Sequence, residues 1–225
     1  MQAPSKKGNQ KKQGFIVDDH PMFRHGMAET INAEPDLILC GEADAGPQAL
    51  EAIRRLEPDL ALIDISLNGS NGIELVKSIR AEYPKMFLLV LSMHDESLYA
   101  LRALRAGAHG YVMKQAARTQ VMAAIREVLS GKLYLSPEMG SHALRELVHP
   151  AKKDGTSAME KLTDRELEVL QLIGEGNGPR EIGRKMNISP KTVESHRAHI
   201  KEKFDFSNAH ELTRFAMQWV EQQVR

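Results

Sequence analysis

The residues whose side chains are best suited to carry out chemistry are three carboxylates, a hydroxyl and an ammonium group, each next to a short apolar run. They are Asp18, Asp19, Asp64, Ser92 and Lys114. Carboxylates that lie close together repel one another, and their burial is costly unless cations compensate. The Lys114 ammonium and a hard divalent cation would do so. An oxygen-only donor set suits Mg²⁺, which also retains bound waters. These residue types therefore predict a magnesium site.

The elements that must position this set are predicted by the hydrophobic pattern. Short apolar runs without in/out alternation are typical of strands buried on both faces. Such runs lie at residues 14–17, 37–40, 60–63, 87–91 and 110–113. Helical periodicity separates them, as in Leu50, Ile53 and Leu56. The pattern predicts an α/β fold with a doubly wound five-stranded parallel sheet, in which strand carboxyl ends meet at one rim.

The acidic set at that rim resembles the receiver domain of two-component response regulators, over roughly residues 14–130. The resemblance implies that Asp64 accepts a phosphoryl group from a partner histidine kinase. It also implies that Asp18, Asp19 and Asp64 bind Mg²⁺ with the backbone carbonyl of Ser66. A carboxylate oxygen is a competent phosphoryl acceptor, and cations neutralise the charge that develops during transfer.

Further residues of the first domain take switching roles by the same resemblance. Ser92 and Lys114 would hold the phosphoryl group, and Tyr111 would change position on activation. Two positions depart from the family pattern. Asn68 stands where proline is frequent, and Gln115 follows Lys114 where a cis proline is frequent. Because cis bonds before other residues are costly, the peptide geometry after Lys114 stays open.

Isolated residues of other reactive types are given simpler interpretations. We expect the histidines near strand ends, His20, His94 and His109, to have surface or supporting roles, because metal ligation needs converging nitrogen ligands. The single cysteine, Cys40, lies in an apolar run and is interpreted as a buried thiol.

The chain beyond residue 162 has helical patterns only. Helices are predicted at residues 163–174, 179–186, 190–204 and 208–220. Thr163 and Glu166 have the spacing of a capping box. Two short helices separated by the Asn187-Ile188-Ser189 turn are typical of a helix-turn-helix. The second domain is therefore predicted to be an all-α, four-helix, DNA-binding domain.

This segment resembles the LuxR-type (NarL/FixJ) DNA-binding domain. The matching residues are Leu162, Thr163, Arg165, Glu166, Glu168, Val169, Leu170, Glu181, Ile182, Ile188, Ser189, Thr192, Val193, His196 and Lys203. Gly178-Pro179, Gly183 and Phe204 depart from the family pattern, and we expect the fold to tolerate them. The resemblance makes 190–204 the recognition helix.

The recognition helix carries the residues predicted to contact double-stranded DNA. They are Lys191, Thr192, Glu194, Ser195, Arg197, Ala198, Lys201 and Lys203. The resemblance places Glu194, Ser195 and Ala198 at the base edges, and basic side chains can contact phosphates. The alternative is a solvated helix face. Between residues 180 and 203, seven basic residues minus three acidic residues leave a local charge of +4, although the whole chain is neutral.

Composition and the boundaries between predicted elements give the remaining expectations. Hydrophobic residues make up 42% and charged residues 27% of the 225-residue chain, the profile of a globular protein without a membrane span. We predict a flexible tail at 1–13, a receiver domain at 14–130, a linker with a short helix at 131–160, and the DNA-binding domain at 161–225. The expected location is the cytoplasm.

Together these patterns predict a transcriptional response regulator that is switched by phosphorylation of Asp64 and is not an enzyme. The active form is expected to be a homodimer. The apolar stripe of Leu212, Phe215, Ala216 and Trp219 suits dimer pairing and internal packing equally. Two alternatives remain open: a phosphorylation-independent regulator with a degenerate receiver, and a metal-dependent phosphohydrolase.

Overall fold

The computed structural model describes residues 11–67, 69–148, 159 and 161–223. The chain divides into two compact units. The first comprises residues up to Leu67 together with Gly72–Ser136, and the second comprises Pro137–Arg225 with Asn68–Asn71. Most of the predicted tail, part of the predicted linker and Asn68 lie outside the described residues.

The first unit is built on five strands, namely β1 (Lys12–Val17), β2 (Leu37–Ala43), β3 (Leu60–Ile63), β6 (Phe87–Ser92) and β7 (Gly110–Met113). They form a parallel sheet of order β2-β1-β3-β6-β7. The predicted α/β fold with a doubly wound parallel sheet is confirmed. Strand β1 begins at Lys12, earlier than its apolar run, because Lys12 and Gln13 also pair with β2.

Helices follow the strands of the sheet in alternation. They are α1 (Pro21–Asn32), α2 (Gly46–Leu56), α3 (Gly72–Glu82), α4 (Glu96–Ala106) and α5 (Arg118–Leu129). Between β3 and α3 lies a small ribbon of β4 (Ser66–Leu67) and β5 (Ser70–Asn71), which the apolar pattern did not predict. Its strands have two residues each, too few for a periodic signal.

The core of the first unit fixes the sheet against its helices. Every residue of β3 is buried, as expected for a central strand covered on both faces. On one face Leu62 and Leu89 pack in a cluster with Ile125 and Val128 of α5. The rigid sheet therefore holds the strand ends, where the polar residues lie.

The part of the second unit that follows Ser136 is helical where it is described. Its helices are α6 (Pro137–Val148), α7 (Asp164–Gly174), α8 (Pro179–Lys185), α9 (Pro190–Phe204) and α10 (Ala209–Gln223). Helix α9 has the predicted bounds, whereas α8 ends one residue before the predicted end because Met186 is its C-cap. Helix α10 runs three residues past the predicted end, from Val220 to Gln223.

Local capping explains where α7 and α9 begin. The predicted capping box is present, since Thr163 Oγ1 accepts from Glu166 N and Glu166 Oε2 accepts from Thr163 N. At α9, Ser189 Oγ accepts from Thr192 N at 3.0 Å. Such caps satisfy amide groups that lack partners within the helix.

Packing within the second unit buries one face of α10. Leu212 and Ala216 are fully buried, so these two residues of the apolar stripe contribute to the core of their own domain. Met217 is 45% exposed on the same helix. Among the described residues, no helix is long and apolar enough to span a membrane.

Candidate functional site

The carboxyl ends of the parallel strands bring the predicted acidic residues together. Asp18 directly follows β1 and Asp64 directly follows β3. The Asp64 amide donates to Val17 O at 2.8 Å, which continues the β1–β3 ladder to the acidic residue. Likewise the Lys114 amide donates to Ser92 O at 2.8 Å. Backbone hydrogen bonds therefore fix the Cα positions of these polar residues on one rim.

Lys114 is the central cation of this rim. Its Nζ lies 2.6 Å from Asp18 Oδ2 and 2.7 Å from Asp64 Oδ2. These three side chains are at most 4% exposed. The Phe23 ring lies under the same ammonium, 4.6 Å from Nζ to the centroid. Low solvent access strengthens these charge interactions and raises the cost of an unpaired charge.

The carboxyl group of Asp64 has an unusual proton affinity. Burial raises the pKa of Asp64 to about 6, against the ion pair with Lys114, which lowers it. The negative charges of Asp18 and Asp19 raise this pKa further. The raised pKa of Asp64 therefore follows chiefly from burial, with smaller contributions from the two neighbouring carboxylates.

The donor set fits a divalent cation. Asp18, Asp19, Asp64 and His20 each offer a ligand atom, all within 4.8 Å of one another. Three carboxylates minus one lysine leave a charge of −2, which Mg²⁺ would balance. His20 is 62% exposed, and its Nδ1 lies 2.7 Å from Asp19 Oδ1. A hard cation prefers the carboxylate oxygens to that imidazole.

The predicted switch residues surround this cluster. Ser92 is fully buried at the end of β6, and its Oγ accepts from the His94 amide at 3.1 Å. Tyr111 is 1% exposed and donates its hydroxyl to His94 O at 2.7 Å. Burial raises the pKa of Tyr111 above its usual range, so the phenol stays protonated. Ser66 Oγ lies 2.7 Å from His94 Nε2, which connects the loop after β3 to the loop after β6.

The peptide bond after Lys114 is trans, since the described residues contain no cis peptide bond. The turn at Gln115 is therefore made without the costly cis geometry. The Ala116 amide donates to Met113 O at 2.9 Å and closes the turn.

Gly72 lies against the backbone of Asp64, a contact that the sequence did not predict. A Cβ on Gly72 would lie 1.9 Å from Asp64 O and 2.7 Å from Asp64 C. Its amide also donates to Ile65 O at 2.7 Å. The first turn of α3 therefore lies directly against the backbone of Asp64. The sequence signal was the segment 67–72, which contains Gly69 and Gly72, but this signal did not reveal the partner.

Helix α9 presents most of the predicted DNA-contact residues to solvent. Its inner face is buried through Val193 and Ile200. Five of the predicted residues are exposed, namely Lys191, Thr192, Glu194, Ser195 and Ala198, and Lys201 is half-buried.

Two of the predicted DNA-contact residues form ion pairs within their own domain. The side chain of Arg197 is only 13% exposed, with Nε 3.5 Å from Glu194 Oε2. The Lys203 Nζ lies 2.5 Å from Glu166 Oε2 and joins the end of α9 to the start of α7. The pair of Lys203 with Glu166 was beyond helical periodicity, because it depends on the packing of a second helix. Arg197 and Glu194 are three residues apart on one helix, a spacing at which side chains are neighbours.

An open groove of about 630 Å³ borders the N-terminal end of α9. Its charged lining includes Lys191 and Glu194 from α9 and Arg180 and Arg184 from α8. The two arginines were part of the basic segment but not of the predicted DNA-contact set. Their exposure beside α9 adds positive charge to the same surface.

Comparison with known families covers both units. The description "Response regulator receiver domain" matches residues 15–126. The description "Bacterial regulatory proteins, luxR family" matches residues 160–216. The oxygen regulatory protein NreC of Staphylococcus carnosus is 34% identical over 206 residues, which cover 90% of this chain and 95% of NreC.

Solved structures with similar folds include two regulators. A LuxR-family two-component response regulator from Aurantimonas is 32% identical, with a TM-score of 0.58, over 62% of this chain and 99% of that one. RcsB from Salmonella enterica, bound to the promoter rprA in the presence of phosphomimetic BeF3⁻, is 25% identical with a TM-score of 0.61. That likeness covers 92% of this chain and 99% of the RcsB chain.

Proposed function

This chain belongs to the two-component response regulators that join a receiver domain to a LuxR-type DNA-binding domain, and we propose that phosphorylation of Asp64 controls its binding to DNA. The observation that carries the proposal is the placement of Lys114 between Asp18 and Asp64, which leaves Asp64 beside a cation and two further carboxylates. The proposed domain boundaries are those expected from the sequence, with residues 131–160 as the linker.

The proposed reaction is a phosphoryl transfer from a histidine kinase. A carboxylate oxygen of Asp64 forms the new O–P bond, while the P–N bond to the kinase histidine breaks and its electron pair stays on that nitrogen. Asp18, Asp19, Asp64 and the Ser66 carbonyl would hold Mg²⁺, whose chemistry is to neutralise charge on the transferred oxygens. Lys114 pairs with one of those oxygens, at the cost of weaker contact with Asp18.

The switching step follows from the new charge on Asp64. The Ser92 hydroxyl donates to a phosphoryl oxygen and draws the loop after β6 toward Asp64. That loop carries His94, whose carbonyl accepts from Tyr111, so Tyr111 must follow or exchange its partner. Movement of the Ser92 hydroxyl and the buried Tyr111 ring would change the surface around them. Phosphorylation switches act through such local changes, which favour one of two conformations.

The proposed output is binding to double-stranded DNA. RcsB supports this proposal, because its solved complex contains promoter DNA. Glu194, Ser195 and Ala198 would face base edges, whereas Lys191, Arg197, Lys201 and Lys203 would contact or approach phosphates. The active species would be a homodimer on paired half-sites. A kinase and chromosomal DNA as partners make the cytoplasm the proposed location.

The deciding experiment measures phosphorylation and DNA binding on the same preparation. The full chain is incubated with acetyl phosphate and Mg²⁺, and its intact mass is recorded over time. Wild type and the control Asp44→Asn, an exposed carboxylate after β2, should gain one phosphoryl group. Asp64→Asn should gain none.

The alternatives are distinguished by the outcomes of that experiment. Equal phosphorylation of Asp64→Asn and wild type would refute the acceptor. Equal affinity of phosphorylated and unphosphorylated wild type for a selected DNA site would indicate a phosphorylation-independent regulator. Continuous turnover of a small phosphoester, lost in Asp64→Asn, would indicate the phosphohydrolase.

A further inference from the structure

A second group of metal-ligating side chains lies in the helical unit. Glu166 on α7 and His196 and His199 on α9 each offer one ligand atom, and these atoms lie within 4.8 Å of one another. His199 Nδ1 is 3.6 Å from Glu166 Oε1. The two histidines are three positions apart on α9, so they share one face of the helix.

We propose that Glu166, His196 and His199 form a binding site for Zn²⁺ that connects α7 to the recognition helix α9. Two imidazole nitrogens and one carboxylate oxygen are a donor set that zinc uses in proteins, with a water in the remaining position. The set is unlike the oxygen cluster around Asp64, so the two sites should differ in metal preference.

The carboxylate of Glu166 is already oriented for this role. Its Oε2 accepts from the Thr163 amide at 2.7 Å and lies 2.5 Å from Lys203 Nζ. Oε1 is the atom on the side of His199. The Thr163 amide fixes the direction of this carboxylate, as outer contacts regularly do in metal sites, whereas the Lys203 ammonium competes with a metal ion for the carboxylate charge.

The histidines need only small movements to bind the metal. Zinc bonds of about 2.1 Å in tetrahedral geometry separate donor atoms by about 3.4 Å, close to the 3.6 Å between His199 and Glu166. The His199 side chain is 60% exposed, so it is free to rotate toward a bound ion. His196 also offers a nitrogen within 4.8 Å of the ligand atoms of Glu166 and His199.

Positive charge near the cluster sets the strength of the site. Lys203 shares the Glu166 carboxylate, and the charge of Arg165 acts on His196. A cation at Oε1 is repelled by both groups. Removal of the Lys203 charge should therefore increase the affinity for zinc. If the cluster has only a structural role and binds no zinc, the variant should show no such increase.

Occupation of the site would have a direct consequence for α9. The ligands lie on the face of α9 toward α7, next to the exposed residues Ser195 and Ala198. A metal held by both helices restrains α9 relative to α7. It also raises the thermal midpoint of the domain, because it binds the folded state only.

The test uses the full chain with His20→Gln as the parent, which removes the imidazole from the Asp64 cluster. Co²⁺ is titrated in the presence of excess Mg²⁺, its visible absorption is recorded, and Zn²⁺ is then added as competitor. The parent should bind Co²⁺ at one site, and Zn²⁺ should displace the Co²⁺ from that site. His199→Gln should lower the affinity by at least about 10-fold, the smallest loss typical for a partner of a bound metal.

Two further variants complete the test. His210→Gln, an exposed histidine on α10, should bind like the parent, and Lys203→Met should bind more tightly. Unchanged affinity in His199→Gln, or unchanged affinity in Lys203→Met, would overturn the site. Because the His199 side chain is exposed, circular dichroism of His199→Gln should match the parent, which separates ligand loss from unfolding.

Discussion

The ammonium group of Lys114 lies 2.7 Å from Oδ2 of Asp64, although 50 residues separate them in the chain. The same ammonium lies 2.6 Å from Asp18 Oδ2. One lysine from the end of β7 thus neutralises part of a buried acidic cluster contributed by the ends of β1 and β3.

Removal of Lys114 should destabilise the metal-free receiver. Lys114→Ala leaves two buried carboxylates without their cation, and breaking such a pair costs about 3–5 kcal/mol. The free energy of unfolding should recover when Mg²⁺ is added, because the metal replaces the missing charge. Urea unfolding with and without Mg²⁺ measures both effects. Lys12→Ala, which breaks an exposed pair with Asp59, should change stability by less than about 1 kcal/mol.

Magnesium affinity should depend on Asp19 and not on its neighbour His20. Asp19→Ala removes a carboxylate from the proposed ligand set and should weaken binding sharply. His20→Gln removes an exposed imidazole that hard cations disfavour, so the affinity should stay near wild type. Metal titration calorimetry compares the two variants, and equal affinities in wild type and Asp19→Ala would reject the proposed ligand set.

Gly72→Ala should disturb Asp64 through the backbone. The added Cβ would lie 1.9 Å from Asp64 O, so α3 or the acceptor loop must shift. We expect the free energy of unfolding to fall by about 1–3 kcal/mol, as is typical of overpacking. Phosphorylation by acetyl phosphate should also be slower. Gly140→Ala is the matched control, because nothing lies within 4 Å of its Cβ position on α6. A wild-type rate of phosphorylation in Gly72→Ala would show that the close contact does not position Asp64.

The two lysines near the end of α9 should separate DNA binding from stability. Lys201→Ala should weaken binding to all sequences and reduce the salt slope by about one, as expected for one lost phosphate contact. Lys203→Ala should in addition lower the free energy of unfolding, since Lys203 Nζ lies 2.5 Å from Glu166 Oε2. Fluorescence anisotropy at several salt concentrations and thermal unfolding supply both measurements. An identical thermal midpoint for the two variants would contradict the structural role of Lys203.

Glu194 should contribute specificity more than affinity. Its negative charge opposes DNA, but a pairing with cytosine N4 would discriminate against other bases by about 1–3 kcal/mol. Glu194→Ala should bind non-specific DNA as well as wild type or better, yet lose its preference at one base pair in each half-site. Binding-site selection decides the point. An unchanged preferred sequence would leave only the pair with Arg197, 3.5 Å away, as the role of Glu194.

The sequence by itself determined the order of the elements and the positions of the polar residues on them. Runs of apolar residues, capping residues such as Thr163 and Ser189, and the α9 boundaries are local signals, so they can be read without the fold. The same logic placed Asp18, Asp64 and Lys114 at strand ends, because the carboxyl ends of parallel strands share one rim.

Only the tertiary structure decided which side chains meet. The contact of Gly72 with the Asp64 backbone, the ion pair of Lys203 with Glu166 and the approach of His199 to Glu166 each depend on the packing of one element against another. Periodicity gives the face of a helix but not its partner, its distance from that partner or the rotamer of its side chains. Those quantities follow from close packing and from the pairing of buried charges, which no local pattern encodes.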